Sequence, residues 1–270
     1  MSYFMLASHK TSAGGRLLRS STSAALSSAA AEKAGGANAI QRIYDSLASI
    51  PASTFDRSVQ RPGECLAIQA CLSHLEGVTL EDLGLTVDAV KLLKRPLCMH
   101  VHSSPSFDLS VFLLPGGKSL PLHDHPGMTV VSKVVHGSLR LSAYSKLAPS
   151  LDTYSDPPPS KKLRASASAI VRTPATVTPV LVNVCKSAAD PAWLLSPTEG
   201  NLHELTAESN CVIFDILLPP YNPPARDCHY YTLQEEGGSA RAVESEGMSD
   251  EDAVYGTQYR GYLPSKGSRR

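Results

Sequence analysis

The sequence lacks several features that define common protein classes. Its 25 basic and 25 acidic residues give a formal net charge of zero, so no basic face for a nucleic acid is predicted. No apolar run is long enough to span a membrane. None of the six cysteines forms a C-x-x-C pair, and no apolar signal peptide is present, so a disulfide framework is not expected. We therefore predict an intracellular monomer with reduced thiols that binds neither nucleic acid nor membrane.

The first 36 residues also lack acidic side chains before Glu32, and they are rich in serine and alanine. Lys10, Arg16 and Arg19 lie among them. This composition matches a transit peptide for a mitochondrion or plastid. It also matches a disordered extension, residues 1–38, at the start of a cytoplasmic protein. Such a protein could be found in the nucleus as well. We favour the extension, because a serine and alanine bias alone is common.

Helical periodicity is present in the segment that follows. Apolar residues recur at helical spacing, as in Ile40, Ile43 and Leu47, and similar stripes follow further along. Residues 39–95 are therefore predicted to be helical. The segment is too small to be a convincing domain alone, so we expect it to pack against the rest of the chain.

The pattern changes at Pro96. Short apolar and β-branched runs broken by glycine, proline and serine predict a mainly β sandwich or barrel over residues 96–264. Polar stretches predict loop insertions at 146–168 and 234–252, and the last residues, 265–270, a disordered tail. The predicted strands are Leu97–His102, Leu109–Leu114, Thr129–Val135, Ser138–Tyr144, Ala169–Arg172, Thr178–Val184, Ala192–Leu195, Leu202–Thr206, Asn210–Leu217 and Asp227–Leu233.

A pair of histidines separated by one residue lies in the segment GGKSLPLHDHPGMTVVSKVVHG, residues 116–137. In an extended chain alternate side chains point to the same face. His123 and His125 therefore project together, and Asp124 points the other way. This is how a strand offers two ligands to one metal ion.

The residues around the pair have a further regular spacing. Gly117 comes six residues before the first histidine, and Gly137 closes the segment. The spacing resembles the first cupin motif, G-x5-H-x-H-x4-E-x6-G. Val130 occupies the position of the glutamate that binds the metal in most cupins. Valine cannot bind a metal ion, so the usual four-ligand set is excluded.

A third ligand is found further along the chain. The second cupin motif supplies one histidine after a proline and glycine turn, and the run from Pro197 through Gly200 to His203 fits that description. The asparagine that often follows is replaced by Ala207, so this second motif is looser than the first. We predict that His203 completes the metal site.

Together, His123, His125 and His203 would provide three neutral imidazoles and no negative charge. A divalent metal ion held only by neutral imidazoles keeps its full positive charge. It therefore favours an anionic ligand from outside the protein, for which a thiolate is a natural candidate. Three ligands on one side also leave positions open for a second substrate. His100 and His102 form another H-x-H pair but lack the flanking glycines, so we interpret them as ordinary strand residues.

Four segments together resemble one family, the plant cysteine oxidases and 2-aminoethanethiol (cysteamine) dioxygenases. The similarity covers about residues 39–264 and is weakest at 146–168 and 234–252. The segments are PLHDHPGMTVVSKVVHGSLRLSAY, GNLHELTA, FDILLPPYNPPARDCHYY and VYGTQYRGYLP.

This resemblance implies a cupin-type double-stranded β-helix, a jelly-roll barrel, with the N-terminal helices packed against it. It also implies an Fe(2+) enzyme that uses O2 to oxidise a thiol to a sulfinic acid, with both oxygen atoms added to sulfur. The family's substrates are N-terminal cysteines of proteins and peptides, and small thiols such as cysteamine and cysteine. A role in oxygen sensing would follow from the protein substrates.

Four further residues are candidates for the catalytic site. Asp215 interrupts the apolar strand CVIFDILL, where a carboxylate is costly unless paired. We interpret it as the group that holds the substrate ammonium, with a structural hydrogen bond to a loop as the alternative. Tyr221 either lines the cavity mouth and donates a hydrogen bond, or packs on the prolines before it. Cys228 and Tyr230 share a strand face. The resemblance suggests a thioether crosslink between them in some members, although a plain thiol and aromatic ring is our preferred state here.

Two alternatives remain open. The chain could be a cupin enzyme of another kind, such as an isomerase or a dioxygenase of carbon substrates, but most of these keep the glutamate that Val130 replaces. It could also be a metal-binding cupin module without catalysis, but the intact ligand spacing argues against this.

Overall fold

The computed structural model describes residues 38–50, 66–147, 174–236, 239–245 and 254–259. The predicted strand at 169–172, the tail at 265–270, most of the predicted loop at 146–168 and all but one residue of the N-terminal extension lie outside these ranges. Within them, the helices are α1 (Ala39–Ala48), α2 (Leu66–Leu75) and α3 (Val87–Lys91). The strands are β1 (Leu97–Ser103), β2 (Asp108–Leu114), β3 (Ser119–Asp124), β4 (Thr129–His136), β5 (Ser138–Lys146), β6 (Ala175–Ser187), β7 (Trp193–Leu195), β8 (Leu202–Ala207), β9 (Cys211–Leu218), β10 (Tyr230–Glu236), β11 (Ser239–Ser245) and β12 (Tyr255–Gln258).

The strands from β2 to β9 form two facing antiparallel sheets. One sheet has the order β2-β9-β4-β7, and the other has the order β3-β8-β5-β6. The chain alternates between the two sheets from β2 to β9, except that β5 and β6 are paired neighbours in the second sheet. This order is that of the double-stranded β-helix, in which two sheets enclose one core. The predicted cupin-type jelly roll is confirmed.

Each sheet is extended beyond this core. β1 pairs with β2, and β12 adds a parallel strand at the outer edge of β1. In the second sheet, β10 pairs with β3 and β11 pairs with β6, so that the hairpin closes these strands into a ring. The strand β3, which carries His123, is therefore bordered by β8 on one side and by the hairpin on the other.

The hairpin corrects part of the loop insertion predicted at 234–252, namely residues 234–236 and 239–245, while the remaining residues lie outside the described ranges. Residues up to Glu236 continue β10, and Ser239–Ser245 form β11 instead of a loop. The prediction failed because most side chains of the hairpin are exposed or half-buried, so its composition is mostly polar. Among the hairpin residues whose burial is described, Ala242 is the one buried residue.

The N-terminal helices pack against the outer face of the first sheet, as predicted. Ile40, Ile43 and Leu47 are fully buried on one stripe of α1 and join a core that includes Phe214 of β9. Burying an aliphatic side chain contributes about 1.5–3 kcal/mol, so this stripe is enough to hold a short helix to the barrel. The Asn38 side chain begins the helix by accepting a hydrogen bond from the backbone N–H of Gln41 at 2.8 Å. None of the helices that the structure describes has the length and apolar character needed to cross a membrane.

Gly137, the last glycine of the metal motif, provides a test of the fold. Its φ of +77° lies in the left-handed region, and a methyl group on it would run into the carbonyl oxygen of Asn210 and lie 3.0 Å from the Cα of Cys211. We expect Gly137→Ala to lower the free energy of unfolding by about 3 kcal/mol or more, because backbone strain and a collision with a neighbouring strand add together.

Gly117→Ala is the matched control. Gly117 has a similar φ of +82°, but a methyl group there would meet no atom within 4 Å. Backbone strain alone should cost about 1–2 kcal/mol. Chemical denaturation of both variants would measure the difference, and equal losses would show that the contact with Asn210 is unimportant.

Candidate metal centre

The three predicted ligands meet in space. His123 lies near the end of β3, directly across from His203 of β8. His125 is the first residue after β3. The Nε2 atom of His203 lies 3.0 Å from Nε2 of His125 and 3.2 Å from Nε2 of His123. Within the described part of the chain, these three residues are the group of His, Cys, Asp and Glu side chains suited to hold a metal ion.

Hydrogen bonds to the outer ring nitrogens fix two of the imidazoles. Nδ1 of His123 lies 2.8 Å from the carbonyl oxygen of Pro121 and must donate, because a carbonyl only accepts. Tyr221 donates its hydroxyl hydrogen to the carbonyl oxygen of Asp124 at 2.7 Å. Its oxygen therefore accepts from Nδ1 of His125 at 2.8 Å. Both rings thus carry their proton on Nδ1, and their Nε2 lone pairs face the centre of the group.

The charge state of the rings is also suited to a metal ion. Burial lowers the pKa of His123, and burial together with the neighbouring imidazoles holds the pKa values of His125 and His203 well below the ordinary range. The rings are therefore neutral at pH 7. Two nitrogens about 2.1 Å from one ion and at right angles lie about 3.0 Å apart, close to the observed spacings. The residues present fit a divalent transition metal held by three ligands on one side.

Asp124, between the first two ligands, is the centre of a buried hydrogen-bond network. Its carboxylate accepts from Lys146 Nζ at 2.8 Å, from the Tyr231 hydroxyl at 2.7 Å and from the backbone N–H of His229 at 3.0 Å. Burial alone would raise the pKa of Asp124, but the hydrogen bond and charge of Lys146 lower it below the ordinary value. The network joins the ligand strand to the segment that enters β10.

Tyr221 contacts a metal ligand, which neither prediction for this residue included. Its ring stacks on His125 with 5.3 Å between the centroids. We expect Tyr221→Phe to weaken metal binding by about 10–100-fold, because the hydrogen bond that fixes the ligand tautomer is lost and the stacking remains. Metal retention in competition with a chelator would measure this.

The control for that prediction is Tyr231→Phe, which also removes one hydroxyl from a hydrogen bond near the site. Tyr231 binds Asp124 and not a ligand ring, and Lys146 still holds that carboxylate. A smaller loss of metal is expected. If both variants retain metal as the unmodified protein does, the tautomer argument fails.

Cys228 and Tyr230 lie at the same site as the ligands. Tyr230 is the register partner of His123, and their ring centroids are 6.1 Å apart. Burial raises the pKa of the Cys228 thiol to about 12, although the hydroxyls of Tyr221 and Tyr230 oppose the shift. Cys228 is therefore a neutral thiol between two phenols.

Asp215 lies in β9, in the first sheet, and is 4% exposed. It is the cross-strand partner of Ser110 on β2 and of Ser132 on β4. Burial raises the pKa of its carboxyl to about 7, although the Ser132 hydroxyl opposes the shift. One oxygen, Oδ1, has no hydrogen-bond partner among the described residues.

Sequence reasoning missed the network around Asp124. The period of two placed Asp124 on the face opposite His123 and His125, but no partner for its carboxylate was predicted. That face is covered because β10 and β11 close over it, and β11 lies in the segment predicted to be a loop. His100 and His102 lie in β1, and the three-histidine group does not include them.

The jelly-roll barrel and its three converging imidazoles define the chain as a cupin with a candidate metal centre. The family model PCO_ADO matches residues 75–260, more than half of the chain. The chain therefore belongs to the PCO_ADO family, and the family predicted from the sequence is confirmed.

Two relatives found by sequence, a human and a plant protein, agree with this assignment. The 2-aminoethanethiol dioxygenase of Homo sapiens is 36% identical over 193 residues, which cover 65% of this chain and 68% of that protein. Plant cysteine oxidase 1 of Arabidopsis thaliana is 31% identical over 176 residues, or 61% of this chain and 54% of that protein. The matched part thus spans about two thirds of the human protein and about half of the plant protein. The crystal structure of an rmlc-like cupin protein from Desulfovibrio desulfuricans is 16% identical, with a TM-score of 0.26 over 47% of this chain and 84% of that one.

Proposed function

We propose that this chain is an Fe(2+)-dependent thiol dioxygenase that uses O2 to oxidise a thiol to a sulfinic acid. The observation that carries the proposal is the group of three neutral imidazoles with no carboxylate among them. Such a set leaves a bound divalent ion with its full positive charge, which favours a thiolate as a further ligand. The names of the relatives, 2-aminoethanethiol dioxygenase and plant cysteine oxidase, support a thiol substrate.

Iron held by His123, His125 and His203 would supply the redox chemistry that joins O2 to sulfur. The protein residues have separate tasks. Tyr221 holds the His125 ring and its tautomer. Asp215 is a buried carboxylate on the facing sheet and would hold the amino group of the substrate. The Cys228 thiol is protonated and does not compete with the substrate as a thiolate.

The test is oxidation of thiols by the full chain after anaerobic loading with Fe(2+). A Cys-initiated peptide, free cysteine and cysteamine would be incubated with the loaded protein in air, in parallel. Mass spectrometry is expected to show addition of two oxygen atoms to the sulfur of at least one of them. Protein loaded with Zn(2+) is the matched control, because zinc suits imidazole ligands and has no redox chemistry.

Two outcomes would contradict the proposal. Protein that binds iron and leaves all three thiols unchanged would favour a metal-binding cupin module without catalysis. Oxygen uptake with a substrate that lacks a thiol, and none with thiols, would favour a cupin enzyme of another kind.

A further inference from the structure

A row of polar residues crosses the inner face of the first sheet, opposite the metal centre. The register of the five strands places these residues side by side, from His100 on β1 through Ser110, Asp215 and Ser132 to Trp193 on β7. Cross-strand neighbours in such a row have Cβ atoms about 5 Å apart. A continuous polar row inside an otherwise apolar barrel is costly, so it needs an explanation.

The row faces the space between the two sheets. Val130 and Val134, two residues to either side of Ser132, belong to the apolar core between the sheets, as do Trp193 and Leu195 of β7. Since side chains alternate along a strand, Ser132 points to the same interior. Val130 occupies the position of the fourth cupin ligand, so Ser132 lies about 7 Å further along the same face. That separation is within reach of a substrate whose sulfur is at the metal.

Three buried polar atoms of the row have no hydrogen-bond partner within 3.5 Å in the part of the chain that the structure describes, although the Ser132 hydroxyl is close enough to the Asp215 carboxylate to lower its pKa. They are Oδ1 of Asp215, Oγ of Ser132 and Nε1 of Trp193. The residues are 4%, 0% and 8% exposed. Each buried group left without a hydrogen bond costs about 1–3 kcal/mol. Three such groups in adjacent strands indicate a ligand that satisfies them together.

The chemistry of these atoms defines the ligand. The Asp215 carboxylate accepts hydrogen bonds and suits an ammonium group. The Trp193 N–H only donates and the Ser132 hydroxyl can donate, so the pair suits a carbonyl or carboxylate oxygen. A cysteine residue at the start of a chain has its amino group and its carbonyl on the same carbon, next to the thiol-bearing carbon. Cysteamine has the ammonium group and the thiol but no carbonyl.

We propose that Ser132 and Trp193 determine substrate specificity by donating hydrogen bonds to the carbonyl oxygen of a cysteine whose amino group lies on Asp215. The site then selects thiols that carry an acyl group, above all a Cys-initiated peptide, over cysteamine. This inference rests on the proposed function and names two residues that recognise the substrate.

Selectivity of the iron-loaded full chain tests the proposal. The value of kcat/KM would be measured for a Cys-initiated peptide, cysteine and cysteamine. Ser132→Ala and Trp193→Phe are each expected to lower kcat/KM for the peptide about 10-fold, the effect of one lost hydrogen bond, through a higher KM. Cysteamine should change by less than about 2-fold. Ser132→Thr keeps the hydroxyl, so its kcat/KM for the peptide should equal that of the unmodified protein.

Ser142→Ala is the matched control. Ser142 is a buried serine of β5 and lies outside the row, and its hydroxyl accepts a hydrogen bond from the backbone N–H of Asn183 at 3.1 Å. The ratio of peptide to cysteamine activity should stay unchanged in this variant. Iron content and thermal unfolding would be measured for every variant. Ser132→Ala removes only one hydroxyl and keeps the test valid if Trp193→Phe does not fold.

Trp193 is the single tryptophan of the chain, so it also reports binding without turnover. In the absence of O2, the peptide and cysteine should shift its fluorescence, and cysteamine should not. Equal losses of activity for peptide and cysteamine, with no change in their ratio, would overturn the inference and leave the proposed function standing. No oxidation of any thiol by the unmodified protein would overturn both.

Discussion

His203→Ala is expected to lose both iron and turnover. The Nε2 atom of His203 lies within 3.2 Å of the corresponding atoms of both His123 and His125, so it is the central member of the group. Removing it leaves two ligands on one short segment, and no carboxylate joins them in the described part of the chain. The affinity for iron should fall by more than about 100-fold, beyond the effect of losing a residue that only orients a ligand.

Iron content after dialysis against a ferrous chelator, and mass spectrometry of the thiol product, would measure the two losses. His136→Ala is the matched control, because His136 also lies at a strand end of the barrel and is outside the three-histidine group. The control should keep iron and activity. Full activity in His203→Ala would remove the ligand assignment and the proposed mechanism.

The three-histidine group could be predicted because the signal for each of its members is local. His123 and His125 share a face of one strand, and the glycines around them mark the turns that border it. The third ligand, His203, follows a turn of recognisable composition. In the structure, β3 and β8 are adjacent and place His123 directly across from His203. A short-range pattern in each strand was therefore enough to predict a contact between residues eighty positions apart.

The surroundings of the ligands could not be predicted in the same way, because they depend on which strands become neighbours. Lys146 and Tyr231 meet on Asp124 only after the β10–β11 hairpin has closed the second sheet. The residues of that hairpin are mostly polar, and composition alone favoured a loop. Likewise, the row that includes Ser132 and Trp193 arises from the register of separate strands, and no spacing along the chain encodes it.

Asp215→Asn is expected to lower kcat/KM for aminothiols by about 10–100-fold, because a charged hydrogen bond to the substrate ammonium is worth about 1.5–3 kcal/mol. The loss should be in KM. A thiol without an amino group, such as 2-mercaptoethanol, is the control substrate and should be oxidised by both proteins at similar rates. An equal loss for both thiols would show that Asp215 does not recognise the amino group.

The same substitution should have the opposite effect on stability. Burial raises the pKa of Asp215 to about 7 in the folded chain, above its value of 3.8 in the unfolded chain. The folded state therefore binds more protons between these values, and stability falls as the pH rises from about 4 towards 7. Above pH 7 the charged carboxylate opposes folding. In metal-free protein at pH 8, Asp215→Asn should raise the free energy of unfolding by roughly 2 kcal/mol, and at pH 4 it should give little or no gain. Denaturation at the two pH values would test this. A variant that is more stable and less active would mean that the chain keeps a buried carboxylate for its substrate at the expense of stability.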